Sequence, residues 1–370
     1  MEIDTSVLKN DEIAIFKLRS LYKKYGYTQY KMNKFEEYDL YVKNKDFLVS
    51  DNIITFTDTD GKLMALKPDV TLSIIKNSED IPGNIQKLYY NENVYRVSKG
   101  SRTFKEIMQT GLECIGDIDL CCICEVLFLA AKSLKSISND FVLDISHMGI
   151  VSELINSLGI ESSHEILKCI GEKNSHELEK ICTQSGAQKE SLKKLLSLVS
   201  LYGAPDKVLP ELEKIIPDSP SLFELKKIIS GLSALGLSKK INIDFSVVND
   251  MNYYNAIVFK GFIKGIPTGI LSGGQYDRLM RKMGRKSGAV GFAVYLDMLE
   301  LLPEAENEFD VDTVILYNDS CDISNLFAAV SMLTGAGKSV LAQKQIPEKL
   351  KFKQLLTLNE KGVEILENNA

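Results

Sequence analysis

Hydrophobic positions along this chain keep two rhythms, and the changes of rhythm mark its organisation. NDEIAIFKLRSLYKKYGY (10–27) has helical spacing, with Asn10 or Asp11 placed as N-cap and Ile13, Phe16, Leu21 and Tyr22 on one apolar side. Residues 47–76 mix short apolar runs with the turn signal TDTDG and predict strands with a hairpin. IQKLYYNENVYRV (85–97) and EIMQTGLECIG (106–116) read as two strands joined by SKGSRTFK. A helix is predicted over 118–138, then a short strand in DFVLDISHMG.

From 149 to 240 the rhythm becomes wholly helical, through VSELINSLGI, HELEKICTQSG, ESLKKLLSLVSLYG and SLFELKKIISGLSALG, with Gly and Pro at the turns. A stretch of about 90 residues is too long for a simple connection. Strand patterns resume at INIDFSVVND, YYNAIVFKGFI and IPTGILSG. The acidic PEAENEFDVD (303–312) reads as a linker, and the tail as strand (TVILY), helix (ISNLFAAVSMLTG), strand (SVLAQ) and a final helix. The expected plan is an α+β core over 1–148 and 241–302, a helical insertion over 149–240, a linker over 303–312 and a small α/β unit over 313–370.

The bulk numbers narrow the function. With 370 residues, 45% hydrophobic and 25% charged, the chain can bury a sizeable core. The formal charge is −6 and the 44 basic residues form no block, which disfavours a polyanion such as RNA. No apolar run reaches the roughly 18–20 residues that cross a bilayer. Seven unevenly placed cysteines without a secretory signal pattern predict reduced thiols in a cytoplasm. CCIC (121–124) runs on into an apolar helix and has no second Cys/His pair at zinc-ligand spacing, so no metal is expected there. TGAGKS (334–339) resembles a phosphate loop, but Met332 stands where that loop needs its first glycine.

Three segments carry candidate chemistry. If 107–115 is a strand, Gln109, Gly111 and Glu113 share one face, a polar floor able to hold an amino acid. The same spacing also fits the solvent side of an antiparallel strand. In NDMNYYNAIVFK (249–260) a strand would send Tyr253 and Tyr254 to opposite faces, one to the core and one to a cleft. In LSGGQYDRL (271–279) the paired glycines allow close approach of a ligand or another strand.

Taken together, LKPDVT (66–71), NVYRVSKGSRTFKEIMQTGLECIG (93–116), YYNAIVF (253–259), GGQYDRL (273–279) and AVGFAVYLDML (289–299) resemble the class II histidyl-tRNA synthetase family in order and spacing, over about residues 5 to 300. The resemblance implies a six- or seven-stranded antiparallel sheet flanked by helices, and a dimer. It also implies a histidine pocket at Asp69, Thr71, Gln109, Glu113, Tyr253 and Tyr254. Against the family's ATP site the chain keeps Arg96 and Arg102. The motif 2 Glu is Ser98, the histidine-specific arginine is Asn249, the motif 3 arginine is Met298, and the motif 1 proline is Asn33. A methionine cannot hold a phosphate, and each lost oxyanion-type contact removes several kcal/mol of transition-state stabilisation, so adenylation is expected to be lost.

A synthetase-like chain that keeps the amino-acid pocket, loses the ATP machinery and has a tail short for an anticodon-binding domain resembles the regulatory-subunit family of ATP phosphoribosyltransferase, which acts in histidine biosynthesis. That resemblance implies a non-catalytic subunit without a cofactor. Its partner would be a short-form catalytic subunit, in a hetero-octamer of four chains of each kind. Histidine would be its feedback effector, and tRNA would not be a partner.

Overall fold

A computed structural model of the chain describes residues 8–44, 53–97, 103–160, 163–248, 254–302, 309–359 and 362–369. It forms two units, Met1–Leu302 and Pro303–Ala370.

The first unit begins with α1 (Asn10–Lys24). Its cap is Lys9, one residue ahead of the expected Asn10 or Asp11, because Glu12 reaches back to accept the Lys9 N–H at 2.9 Å. The buried stripe is Ala14, Leu18 and Tyr22, at spacing four, whereas Phe16 is 54% exposed. The short β1 (Thr28–Gln29) follows. Next, β2 (Phe35–Glu37), α2 (Tyr38–Lys43), β3 (Thr55–Thr57) and β4 (Leu63–Leu66) build a three-stranded sheet of order β2-β4-β3 with a helix attached. TDTDG does form the β3–β4 turn: Asp58 accepts the N–H groups of Asp60 and Lys62. The helix α3 (Thr71–Asn77) then leads to two long strands, β5 (Ile85–Val97) and β6 (Phe104–Gly116).

These two strands pair antiparallel from Ile85↔Gly116 to Val97↔Phe104. After α4 (Leu120–Ile137), capped by the Asp119 carboxylate on Cys122 N at 2.8 Å, comes β7 (Phe141–His147). The helical stretch contains α5 (Met148–Ser157), α6 (Ser163–Gly171), α7 (Ser175–Gln184), α8 (Lys189–Ser200), the two-residue β8 (Tyr202–Gly203), α9 (Pro205–Ile215) and α10 (Pro220–Ala234). Then follow β9 (Ile241–Asp244), β10 (Ile257–Ile263), β11 (Leu271–Gln275), α11 (Asp277–Lys282) and β12 (Gly288–Tyr295).

The main sheet has nine strands in the order β1-β5-β6-β12-β11-β10-β7-β9-β8. Its middle six, β5 to β7, are antiparallel throughout. The sheet is therefore wider than the six or seven antiparallel strands expected. Short β1 adds parallel to β5, and β9 adds parallel to β7 with β8 beyond it. Alternation along the strands sends Tyr89, Leu112, Cys114 and Phe292 to a large cluster shared with α1, α4 and helices α5–α10. Tyr90, Ile115 and Ala289 go to a smaller cluster on the opposite face, under α3 and α11. The helices of 149–240 thus share their core with the sheet. Lys173, at a left-handed φ of 53° between α6 and α7, reaches strand β9 through Asp244 at 3.0 Å.

In the second unit β13 (Val311–Leu316), α12 (Ile323–Gly335), β14 (Val340–Gln343), β15 (Phe352–Asn359) and β16 (Gly362–Asn368) form a sheet of order β14-β13-β15-β16 with α12 packed on Ile315 and Leu356. The expected final helix is instead the β15–β16 antiparallel pair. In FKQLLTLN the apolar positions alternate closely enough to bury Leu355 and Leu356 on opposite faces of the sheet, which a helix could not do. Gly337, at φ 80°, ends the α12 turn, so TGAGKS is a helix end leading into β14.

Candidate functional site

Three strands meet at a row of glycines on the face opposite α1 and α4. Glu113 of β6 pairs with Gly291 of β12, which pairs with Gly274 of β11. A Cβ on Gly291 would lie 1.8 Å from Glu113 Oε2, and one on Gly274 would lie 2.5 Å from the Tyr254 ring. A Cβ on Gly111 of β6 would meet the Tyr90 hydroxyl at 2.5 Å. The glycines therefore let a carboxylate and two phenols lie flat against the sheet, where any other residue would fill the space.

Glu113 is the centre of the cluster and is 2% exposed. Its Oε1 accepts from Thr71 Oγ1 at 2.9 Å, and its Oε2 accepts from Tyr276 OH at 2.5 Å. Burial is the main cause that pushes its carboxyl up to about 8, against the two hydrogen bonds, and nearby Asp69 adds to the rise. At neutral pH the group is mostly protonated, so it can donate to or accept from a ring nitrogen. Thr71 opens α3, and Asp69 just before it accepts the Leu72 N–H at 3.0 Å. Burial also holds the Asp69 carboxyl above its ordinary range, while Leu72 N–H and the Arg96 guanidinium pull it down. Tyr276 is positioned by its own N–H on Ala289 O at 2.9 Å.

Gln109 is 3% exposed, so the face it shares with Gly111 and Glu113 is buried and is not the solvent side of the strand. Its Nε2 has no hydrogen-bond partner. An unmet buried amide N–H costs about 1–3 kcal/mol and is a donor waiting for an acceptor. Across the ladder from Gln109 stands Tyr295, beside Arg96. Arg96 donates its Nε to Pro68 O at 3.0 Å. Burial raises the phenols of Tyr90, Tyr254 and Tyr295 above the ordinary tyrosine range, so all three are neutral donors.

At the end of β12 the chain turns through Leu296–Leu301. Met298 packs partly buried against the main cluster, with Thr268 Oγ1 3.7 Å from its Sδ. Asp297 Oδ1 is buried without a partner, and burial raises that carboxyl. Among the described residues no group of three or more His, Cys, Asp or Glu is placed to hold a metal. No described helix is long and apolar enough to cross a membrane.

The structure thus brings together Asp69, Thr71, Arg96, Gln109, Glu113 and Tyr254. Ser98, Arg102, Asn249 and Tyr253 lie outside the described residues. Tyr254 precedes β10 and is not part of a strand, so the expected strand alternation of the two tyrosines does not apply to it. Sequence reasoning passed over Tyr276, Tyr90 and Tyr295. For Tyr276 the signal was present, a tyrosine at the exit of a Gly-Gly strand. Tyr90 and Tyr295 carry no sequence signal, because only the strand register shows which glycine or amide each one faces.

The family model for histidyl-tRNA synthetase matches residues 6–299. The ATP phosphoribosyltransferase regulatory subunit of Caldanaerobacter subterraneus subsp. tengcongensis is 31% identical over 304 residues, 79% of each chain. An ATP phosphoribosyltransferase regulatory subunit/histidyl-tRNA synthetase from Bacillus halodurans superposes with a TM-score of 0.72 at 24% identity, over 93% of this chain and 92% of that one. A chain of an ATP phosphoribosyl transferase complex from Thermotoga maritima does so with a TM-score of 0.60 at 20% identity, over 77% and 97%. At these identities the two solved structures speak for the fold.

Proposed function

From the premise that this chain belongs to the ATP phosphoribosyltransferase regulatory subunits, on the histidyl-tRNA synthetase fold, we propose how its site serves that role. The chain is a regulatory subunit of ATP phosphoribosyltransferase and not itself a catalyst. The pocket over the glycine floor binds free histidine. The adjoining region that would hold ATP in a synthetase keeps Arg96 and Arg102 but carries Met298 in place of the motif 3 arginine. The partner is a short-form catalytic subunit, in a cytoplasmic complex of four chains of each kind. Histidine shifts that complex between arrangements of different activity through its differential affinity for them.

One observation carries this reading. The Glu113–Thr71–Tyr276 hydrogen-bonded set is intact over its glycine floor, while Met298 turns its sulfur to Thr268. A scaffold selected for adenylation would place a cation at 298; one kept for ligand sensing needs only the pocket. Histidine-dependent exchange of pyrophosphate into ATP by the purified chain is the test. None is expected, and measurable exchange would return the chain to the active synthetases.

Self-association as a dimer is part of the same proposal. The outer face of the three-stranded sheet supports it. Phe35 and Phe56 pack edge to face with centroids 5.2 Å apart, yet remain 48% and 37% exposed. Such an apolar pair is suited to cover by a second copy. A Phe35→Ser, Phe56→Ser chain is expected to run as a monomer in light scattering. An unchanged dimer mass would place the interface elsewhere.

A further inference from the structure

We infer that the pocket selects its ligand by the imidazole ring and the amine, and not by the carboxylate, so that the amino alcohol of histidine occupies it about as well as histidine. This rests on the histidine-pocket reading above and adds which part of the ligand is recognised.

The charge around the floor is the reason. Asp69 and Asp297 are both partly buried, burial raises both carboxyls, and Asp297 Oδ1 has no donor. Arg96 is the cation whose charge reaches Asp69 and Tyr295, and it is already engaged. Its Nε is on Pro68 O, and its guanidinium faces the Tyr295 phenol and Asp69. Lys105 faces Asp297. The segment 249–253 reads NDMNY and holds no basic residue, so it has no ammonium or guanidinium to offer wherever it lies. Position 298 is a methionine.

Among the described residues, a ligand carboxylate entering here gives up its water beside Asp69 and meets neutral donors such as the Gln109 amide N–H. An alcohol oxygen accepts that same N–H without the charge penalty. A ligand ammonium, by contrast, finds Asp69, and a ring nitrogen finds Glu113 with its Thr71 and Tyr276 supports.

The experiment is calorimetric titration of the full chain with three probes: histidine, histidinol (alcohol for carboxylate) and imidazolepropionate (histidine without its amine). Histidinol is expected to bind within about threefold of histidine, and imidazolepropionate at least about tenfold more weakly. Histidine binding with histidinol weakened tenfold or more would overturn the inference and leave the pocket reading standing. No binding of any of the three would overturn both. Two variants add controls. Asp69→Asn should weaken histidine and histidinol by the same factor, with an unchanged melting curve as the check on folding. Arg102→Ala should not separate the two ligands. A loss confined to histidine would show that the loop arginine holds the carboxylate, and would also overturn the inference.

Discussion

Glu113 is the residue on which the site turns. Its folded carboxyl sits near 8, above the ordinary value of 4.5, because it is buried and Asp69 is nearby. A group raised on folding binds its proton more tightly in the native chain than in the unfolded one. Its contribution to stability is full below about 4.5 and is lost as pH rises through about 8. The melting temperature should therefore fall between pH 5 and 8. Glu113→Gln should flatten that part of the profile, because the amide does not ionise. The same variant should weaken histidine binding by about tenfold or more, since the amide keeps the shape but changes which oxygen accepts. Unchanged histidine affinity would mark the pocket as vestigial. At this scale the sequence was informative where a motif names a residue: Asp69, Thr71, Gln109 and Glu113 all converge in the structure. It was silent on protonation, because nothing local in LECIG says that the carboxylate lies over a glycine in a strand about 180 residues away in the chain.

Among the elements, the glycine floor and the loop into α3 do most to shape the site. Gly291→Ala would put a methyl 1.8 Å from Glu113 Oε2 and 2.4 Å from Leu112 O, and one of those contacts is backbone. Denaturant unfolding should show a loss of about 1–3 kcal/mol, with histidine binding lost as well. A stability equal to that of the parent chain would mean that the β6–β12 ladder can open to accept the methyl. The loop from β4 to α3 is pinned from inside by Lys67, 1% exposed, on Glu92 of β5 at 2.5 Å. Lys67→Met should cost about 3 kcal/mol, because it strands a largely buried carboxylate. The double variant Lys67→Met, Glu92→Leu should recover most of that loss. A single variant as stable as the double would show that water reaches Glu92 freely. Long elements were legible from their rhythm, as β5, β6 and the helices from α4 to α10 illustrate. The tail helix was misread: KFKQLLTLNEKGVEILENN has apolar residues compatible with either period, and pairing between β15 and β16 decided between them. The two-residue β1 and β8 have no pattern of their own and exist only because a longer strand offers them an edge.

At the scale of the whole molecule, the chain has the histidyl-tRNA synthetase fold, with a methionine at 298. The order of its motifs made that scaffold legible, and the departures at Ser98, Asn249 and Met298 pointed away from adenylation. What the sequence left out is the width of the sheet and the shared core of sheet and helical stretch. Both follow from packing between segments far apart in the chain. We propose that this subunit activates a catalytic partner and conveys histidine inhibition to it. The most direct test is the rate of phosphoribosyl transfer to ATP by a short-form catalytic subunit as the purified chain is titrated in, with and without histidine. Turnover is expected to rise to a plateau at a fixed ratio of the two chains and to fall again when histidine is added. Turnover that stays at the level of the catalytic subunit alone, at any ratio, would contradict it.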